Sequence, residues 1–513
     1  MKRILSLCLC VALMVALFCG CSKEAGAYVP TGDALDVEGD RPNSSQTPQE
    51  QNLTMVYYPE LSMNPYTASD YTNRTLLPLM YQSLFCVTRS YEAVPILCQT
   101  YQVSSDMKTY TIHLAPARFS DGTALTAQDV VASLHAAKAG GYYAGRFLHI
   151  TSVTAEGGAV VIQLDTPCEN LPILLDIPIV KASEVNAALP LGTGPYVMDT
   201  ALSGKRLRRQ AAWWCSKESD FTVTSAYIPL VEAKSPSQIR DQFEFEDVGL
   251  VCADPGSDTY ADYRCDYEIW DCENGLFLYL GTHEKSPVFS NASVRRALTH
   301  AIDRDLLVET YYRGFARSAT LPASPLSPFY DARLASRYTY SKEKFTAALA
   351  DAQMQEASIT LLLNLDDSLR LRVGRRIGQM LTDCGLKVTL LELSTEQYIE
   401  HLKWGSYDLY LAQTKLSPNM DLTAFFRQGG ALNYGGLSDA ATYAMAREAL
   451  ANRGNYYNLH EMIMEDGQLC PILIRSYAVY ATRGLVTDLQ PSRDNLFCYS
   501  LGRTLQDANV PSE

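Results

Sequence analysis

The sequence predicts an α/β protein with enough buried mass for two large lobes. Three observations carry this. Apolar residues make up 47% of the 513 and charged residues 19%, which suits a sizeable core and excludes a mostly disordered chain. At about 150 residues per domain, the length allows two to four domains or two large lobes. Between 358 and 411, strand and helix patterns alternate as β-α-β-α-β, which argues a partly parallel sheet with crossover helices.

The elements follow in chain order. Residues 53–58 read as a strand ending at Pro59, and 110–114 alternate like a half-buried strand. Residues 119–122 form a turn in which Gly122 is free to take a positive φ. Thr126 and Asp129 make a capping box for a helix whose apolar face is Val130, Val131 and Leu134. Residues 159–164 form a short strand. In Gly192-Thr193-Gly194-Pro195-Tyr196, two glycines before a φ-locking proline specify a fixed bend where chains cross. A phosphate cradle is disfavoured there, because no helix pattern follows.

Residues 276–280 form an apolar strand. Residues 293–307 read as one amphipathic helix, with Val294, Ala297, Leu298, Ala301, Ile302 and Leu306 on its buried face. Three prolines make 321–328 an ordered coil. A strand at 358–365, a helix at 369–384 stopped by Gly385, a strand at 387–393, a helix at 395–403 and a strand at 407–411 complete the alternating unit. A helix over 462–469 precedes a last strand at 472–480.

The net charge is −14, from 43 basic and 57 acidic residues. Nucleic acid is therefore excluded as a partner, since binding it requires a basic surface. Only the first twenty residues are membrane-seeking. Lys2 and Arg3 precede an apolar run at 4–18, and Cys21 follows Gly20 in a pattern that resembles the lipobox of bacterial lipoproteins. The expectation is a signal peptide at 1–20, a lipidated Cys21, and a disordered tether through 51, rich in Ser, Gly, Pro and acids. This places the chain on the outer face of the bacterial cell membrane. The alternative is an uncleaved signal anchor.

Ten cysteines remain beyond the tether. They lack C-x-x-C or Cys/His spacing, so a zinc site is unsupported, and they read as small buried hydrophobes; the alternative is disulfides, with Cys265 and Cys272 the closest pair. The seven histidines show no close pair, so nickel or another metal is disfavoured, and no cofactor is called for. There is no G-x-S-x-G, H-E-x-x-H or Walker motif, which argues against an enzyme.

Three segments in register carry a resemblance: F-S-D-G-T-A-L-T-A-Q-D-V-V-A-S at 119–133, G-T-G-P-Y at 192–196 and V-R-R-A-L-T-H-A-I-D-R at 294–304. Together they resemble the extracellular solute-binding proteins, family 5, of oligopeptide, dipeptide and nickel ABC importers. The resemblance implies a periplasmic-binding-protein-like fold of type II, with two α/β lobes joined by a hinge. Lobe one would comprise 52–80, 185–275 and 478–513, with an inserted subdomain at 81–184; lobe two would be 276–477. It further implies a monomer that holds a small organic solute, in most members a peptide, between the lobes and delivers it to ABC permease subunits. A ligand sensor or surface chaperone on the same fold is the alternative. Asp121, Gly122 and Asp129 would shape a turn and a cap. Arg295, Asp303 and Arg304 would tie their helix to its lobe through ion pairs, and Trp213 and Trp214 would pack a lobe.

The ligand residues depart from the family. Many peptide-binding members carry A-D-Y-x-D-P-x-x-F, whose first Asp holds the peptide amine. Here Pro418 stands in that place and Asp421 aligns with the second Asp. Loss of that partner removes a charge-assisted bond worth about 1.5–3 kcal/mol. Asp421 either replaces it or caps a helix at Thr423. Leu280-Gly281-Thr282 also lacks the family's Asn. By resemblance, the cleft positions are Tyr57, Tyr58, Glu60, Tyr279, Trp404, Gln413, Thr414, Asp421, Asn433 and Tyr434.

Overall fold

The structure, a computed structural model, describes residues 53–510 other than 203, 406, 437, 487, 488 and 494. The expected signal peptide, Cys21 and the expected tether through 51 all lie outside the described residues.

Eleven strands form one mixed sheet. Its centre is an antiparallel pair of long strands, Glu268–Thr282 and Leu469–Ala481. Both are apolar and buried over nearly their whole length, as strands covered on two faces must be. On one side, the second half of Glu268–Thr282 pairs with Leu409–Lys415. That strand lies parallel to Ser358–Asn364, which lies parallel to Lys387–Leu393. On the other side, the end of Leu469–Ala481 pairs with Leu250–Ala253. Next come Met55–Tyr57 and Tyr227–Glu232, then the antiparallel Gly204–Arg209 and Tyr196–Ala201. Two lobes therefore share one strand pair.

The pair changes register between Glu273 and Phe277, with Gly275 at φ +72°. A bulge at that point bends the strand where the lobes meet. A separate four-stranded antiparallel sheet (Cys98–Val103, Thr109–Leu114, Ala159–Leu164, Ile150–Glu156) carries the helix Ala127–Ala139.

Much of the expected local chemistry is present. Thr126 and Asp129 form the capping box, and Asp129 also accepts the Ala182 N–H at 2.8 Å. Asp121 accepts the Thr123 N–H at 2.9 Å and pairs with Lys181, while Gly122 takes φ +85°. Helix Ser368–Asp383 is followed by Gly385 at φ +103°. The ten described cysteines are free; eight are buried and Cys265 and Cys498 partly so.

Three expectations need correction. The helix expected over 293–307 is broken: Ala292–Ala297 runs into a 3₁₀ turn, Leu298–Ala301, and Ile302 is extended. Asp303 then caps a new helix, Arg304–Tyr312, by accepting the Leu306 N–H at 3.1 Å. The local cap overrides the continuous apolar period, and Leu306 is left exposed.

Secondly, no carboxylate carries the expected ties from Arg295 and Arg304. Arg295 donates to the carbonyls of Phe289 and Asp466, each at 2.8 Å. Buried Arg304 donates to the carbonyls of Thr299, Ile302, Ala319 and Pro471 and to the Thr299 hydroxyl. Thirdly, several strands exceed their apolar cores: Leu409–Lys415 runs four residues past 411, and the last strand starts at Leu469 because the helix before it, Tyr456–Asp466, stops at Gly467. The segment 192–196 does pack closely on another stretch of chain, without positive φ at its glycines. They permit contact: a Cβ on Gly192 or Gly194 would overlap the main-chain carbonyl of Met80.

Gly194→Ala is therefore expected to destabilise the protein by about 1–3 kcal/mol through overpacking. Gly122→Asn, at a positive φ with open space around it, should change the unfolding midpoint little. Equal midpoints for the two variants in urea unfolding would remove the close-contact explanation.

Candidate functional site

A cavity of about 180 Å³ lies beside the long strand pair. Its wall combines the short helix Tyr71–Arg74 with Tyr142, part of the strand Glu268–Thr282, Lys415, Tyr477 and the segment around Arg493. Strand alternation decides what Glu268–Thr282 contributes. Cys272 and Asn274 face the cavity, while Asp271 and Glu273 face the other way. Asp271 pairs with Arg89 and with Arg317 (2.6 Å). Glu273 accepts from Tyr91 and from Ser324 (2.9 Å); burial pushes its carboxyl above the usual range, against the pull of Arg317 and Arg493.

Three cations line the cavity. Asp70 caps the helix that carries Arg74. The buried Arg74 guanidinium donates to the Ala68 carbonyl (2.9 Å) and the Tyr143 hydroxyl (2.6 Å), and stacks 3.4 Å from the centre of the Tyr142 ring. Lys415, opposite Leu276 in the ladder, lies 4.1 Å from the same ring centre and donates to the Tyr142 hydroxyl at 2.8 Å. One ring thus collects a cation from each side of the crossing. Arg493 donates to the Leu416 carbonyl and packs on Gly275, where any Cβ would strike its guanidinium.

Asn274 is buried. Its side-chain oxygen accepts the Leu276 N–H at 3.0 Å, which fixes the amide orientation, and its Nδ2 has no hydrogen-bond partner. The Tyr71 and Tyr477 rings stack at 3.9 Å.

The ten positions inferred from the sequence lie elsewhere. Tyr57 and Tyr279 are fully buried: Tyr57 donates to Glu232 at 2.7 Å, and Tyr279 packs among Phe277, Tyr410 and Phe425. Tyr58 lines a neighbouring cavity with Asp254 and Tyr260, and Glu60 is exposed. Trp404 is 81% exposed and borders a surface cleft with Asn433 and Tyr434. Gln413 accepts from Arg475 at 3.3 Å, and Thr414 sits beside it, so these two approach the cavity most nearly in sequence, next to Lys415. The strand expected at 407–411 stops short of Lys415, and nothing local in the sequence distinguishes Arg74, Tyr142 or Arg493.

Asp421, one residue before the N-cap Leu422, accepts the Thr423 N–H at 2.8 Å and faces His149 Nε2 at 3.1 Å. His149 Nδ1 meets Asp165 at 2.9 Å. Burial lowers the His149 pKa, but the two carboxylates prevail and raise it above its ordinary value. Among the described residues, no group of three His, Cys, Asp or Glu side chains is placed to hold a metal ion, and no helix is long and apolar enough to cross a membrane.

Residues 92–434 match the family described as bacterial extracellular solute-binding proteins, family 5 (middle region), and the chain belongs to that family. It is 24% identical over 356 residues to the glutathione-binding protein GsiB of Escherichia coli (strain K12), an alignment covering 66% of this chain and 68% of that protein. The ABC transporter substrate-binding protein CtaP of Listeria monocytogenes superposes with a TM-score of 0.69 at 17% identity, over 87% of this chain and 97% of its own. The unliganded open form of MppA, a periplasmic murein tripeptide-binding protein, gives 0.72 at 16%, over 88% and 98%. The fold is the two-lobed fold of these proteins.

The His149 contacts set a pH dependence. A pKa raised by folding contributes stability that is complete below the unfolded value, about 6.5, and is lost as pH rises through the folded value. The stability advantage of the wild type over His149→Gln is expected to shrink as pH rises above about 6.5. A constant difference in urea midpoints across that range would show that His149 does not titrate between these carboxylates.

Proposed function

We propose that this chain is the solute-binding receptor of an ABC importer, capturing a small peptide-like solute between its lobes and delivering it to the permease. The observation that carries this is the cavity beside the long strand pair, whose wall is drawn from widely separated parts of the chain. Family membership supports the receptor role. The names of its relatives, glutathione-binding and murein tripeptide-binding, favour a short peptide-like ligand. The cavity volume is below the roughly 300–1,000 Å³ common for drug-sized ligands, which also favours a short solute over an extended oligopeptide.

In this reading, 52–80, 185–275 and 478–513 form lobe one with 81–184 inserted, and 276–477 forms lobe two. A monomer hangs from the outer face of the membrane by lipid on Cys21. Ligand binding favours the state in which both lobes touch the solute, and the equilibrium moves only as far as the two states differ in affinity. Micromolar binding is worth roughly −8 kcal/mol, against about 5.5 kcal/mol of differential binding for a near-complete reversal.

Residues 22–513 produced without lipid, mixed with a di- to octapeptide pool, are expected to show a bound mass by native mass spectrometry. Ligand at a hundred times its Kd should add about 2.7 kcal/mol of stability. A clean ligand-free mass against the whole pool rules out a peptide ligand. Separately, Cys21→Ala in the full chain should move the protein from the membrane fraction to the soluble fraction.

A further inference from the structure

We infer that Cys86 and Cys498 are a thiol pair placed to be joined as a disulfide in the exported protein. Cys86 lies on the short strand Phe85–Val87 and Cys498 in the C-terminal segment, so the pair joins opposite ends of the described chain. Both sulfurs converge on one acceptor, the Val87 carbonyl, at 3.9 Å from Cys86 and 3.8 Å from Cys498. The two thiols also interact directly with each other. Asn495 Nδ2 donates to the Cys86 sulfur at 3.5 Å and holds it toward the C-terminal segment.

The two stretches are docked by bonds that do not involve sulfur. Gln82 donates to the Tyr499 hydroxyl, Arg503 to the Ile96 carbonyl at 3.2 Å, and the Val510 N–H to the Tyr101 carbonyl at 2.9 Å. The Tyr499 ring packs edge-on against Trp213 and Phe221, with centres 5.8 and 5.3 Å apart. The fold therefore sets the thiols as neighbours, as a disulfide requires. The family's members are extracellular, where disulfides persist.

Access sets the order of the chemistry. Cys86 is buried; Cys498 is partly exposed and lines a cavity of about 420 Å³ with Thr88, Arg89 and Asp220. Contact with Cys498, together with burial, holds the Cys86 thiol well above its ordinary pKa. Cys498 is thus the attacking thiol. As a thiolate it displaces one thiolate from an external disulfide, such as oxidised glutathione, and forms a mixed disulfide. Cys86 then gives up its proton and attacks the Cys498 sulfur, and the second thiolate leaves. Two protein thiols lose two electrons and two protons, and one external disulfide becomes two thiols. In the mixed disulfide the contact with the Cys498 thiol is gone, which favours the second step. The bond closes a very long loop, the case in which a cross-link most restricts the unfolded chain. It also ties down Asn495 and Leu496, which belong to the wall of the cavity beside the long strand pair.

Oxidation of the full chain tests this. The folded protein is treated with oxidised glutathione, blocked with N-ethylmaleimide in denaturant and cut with trypsin without reduction. The expected product is one cross-linked pair, residues 75–89 with 494–503, which reduction separates. The oxidised protein should melt several degrees above its reduced form, and Cys86→Ser should abolish that difference. Cys86→Ser should also trap glutathione on Cys498, whereas Cys498→Ser should leave Cys86 unmodified. Maleimide on both peptides after oxidation, or either cysteine joined to a different partner, overturns the pairing. Glutathione trapped on Cys86 in Cys498→Ser overturns the order of attack.

Discussion

Both lobes are threaded on one antiparallel strand pair, and the rest of the molecule is arranged around the need to bury it. Glu268–Thr282 and Leu469–Ala481 are covered on both faces, so every main-chain group along them must find its partner in the ladder. The ladder yields at Gly275, where register is lost and the strand bends. Arg493 occupies the space that a side chain at Gly275 would need. A constraint on hydrogen bonding thus locates the bend, and the bend makes room for the cavity.

The same strand separates the charges. Its period of two sends Asp271 and Glu273 to one side, where arginines and hydroxyls satisfy them, and Cys272 and Asn274 to the other. Buried acids are costly unless paired, so the acidic face is fully engaged and structural. Among the described residues, the side chains gathered on the opposite face include three cations from distant parts of the chain. Two of them, Arg74 and Lys415, rest on Tyr142, whose ring tolerates both because its face is electron-rich.

What the sequence revealed divides along the same line. Features set by neighbours along the chain were legible: the capping box at Thr126, the turn at Gly122, the stop at Gly385 and the parallel strands between 358 and 415. The family was legible from three motifs whose residues serve turns, caps and close contacts. Boundaries were less so. The apolar period through 293–307 continues across a break that Asp303 imposes with a single hydrogen bond, and Leu409–Lys415 outruns its apolar core because pairing with Leu276–Thr282 sustains it. The cavity was not legible. Residues 74, 142, 274, 415 and 493 meet only through topology, and each is locally an ordinary surface or strand residue.

The cysteines show a different consequence of burial. Cys98, Cys168, Cys215 and Cys252 have their thiols pushed up to about 12 by desolvation. At neutral pH roughly one in 10⁵ of each is thiolate, the form that attacks a disulfide. For these four thiols, folding therefore works as chemical passivation toward exchange. The same thiols are ordinary and reactive while the chain is extended. The hazard for such a protein is concentrated in the interval before its core closes, and whatever shortens that interval protects its covalent integrity.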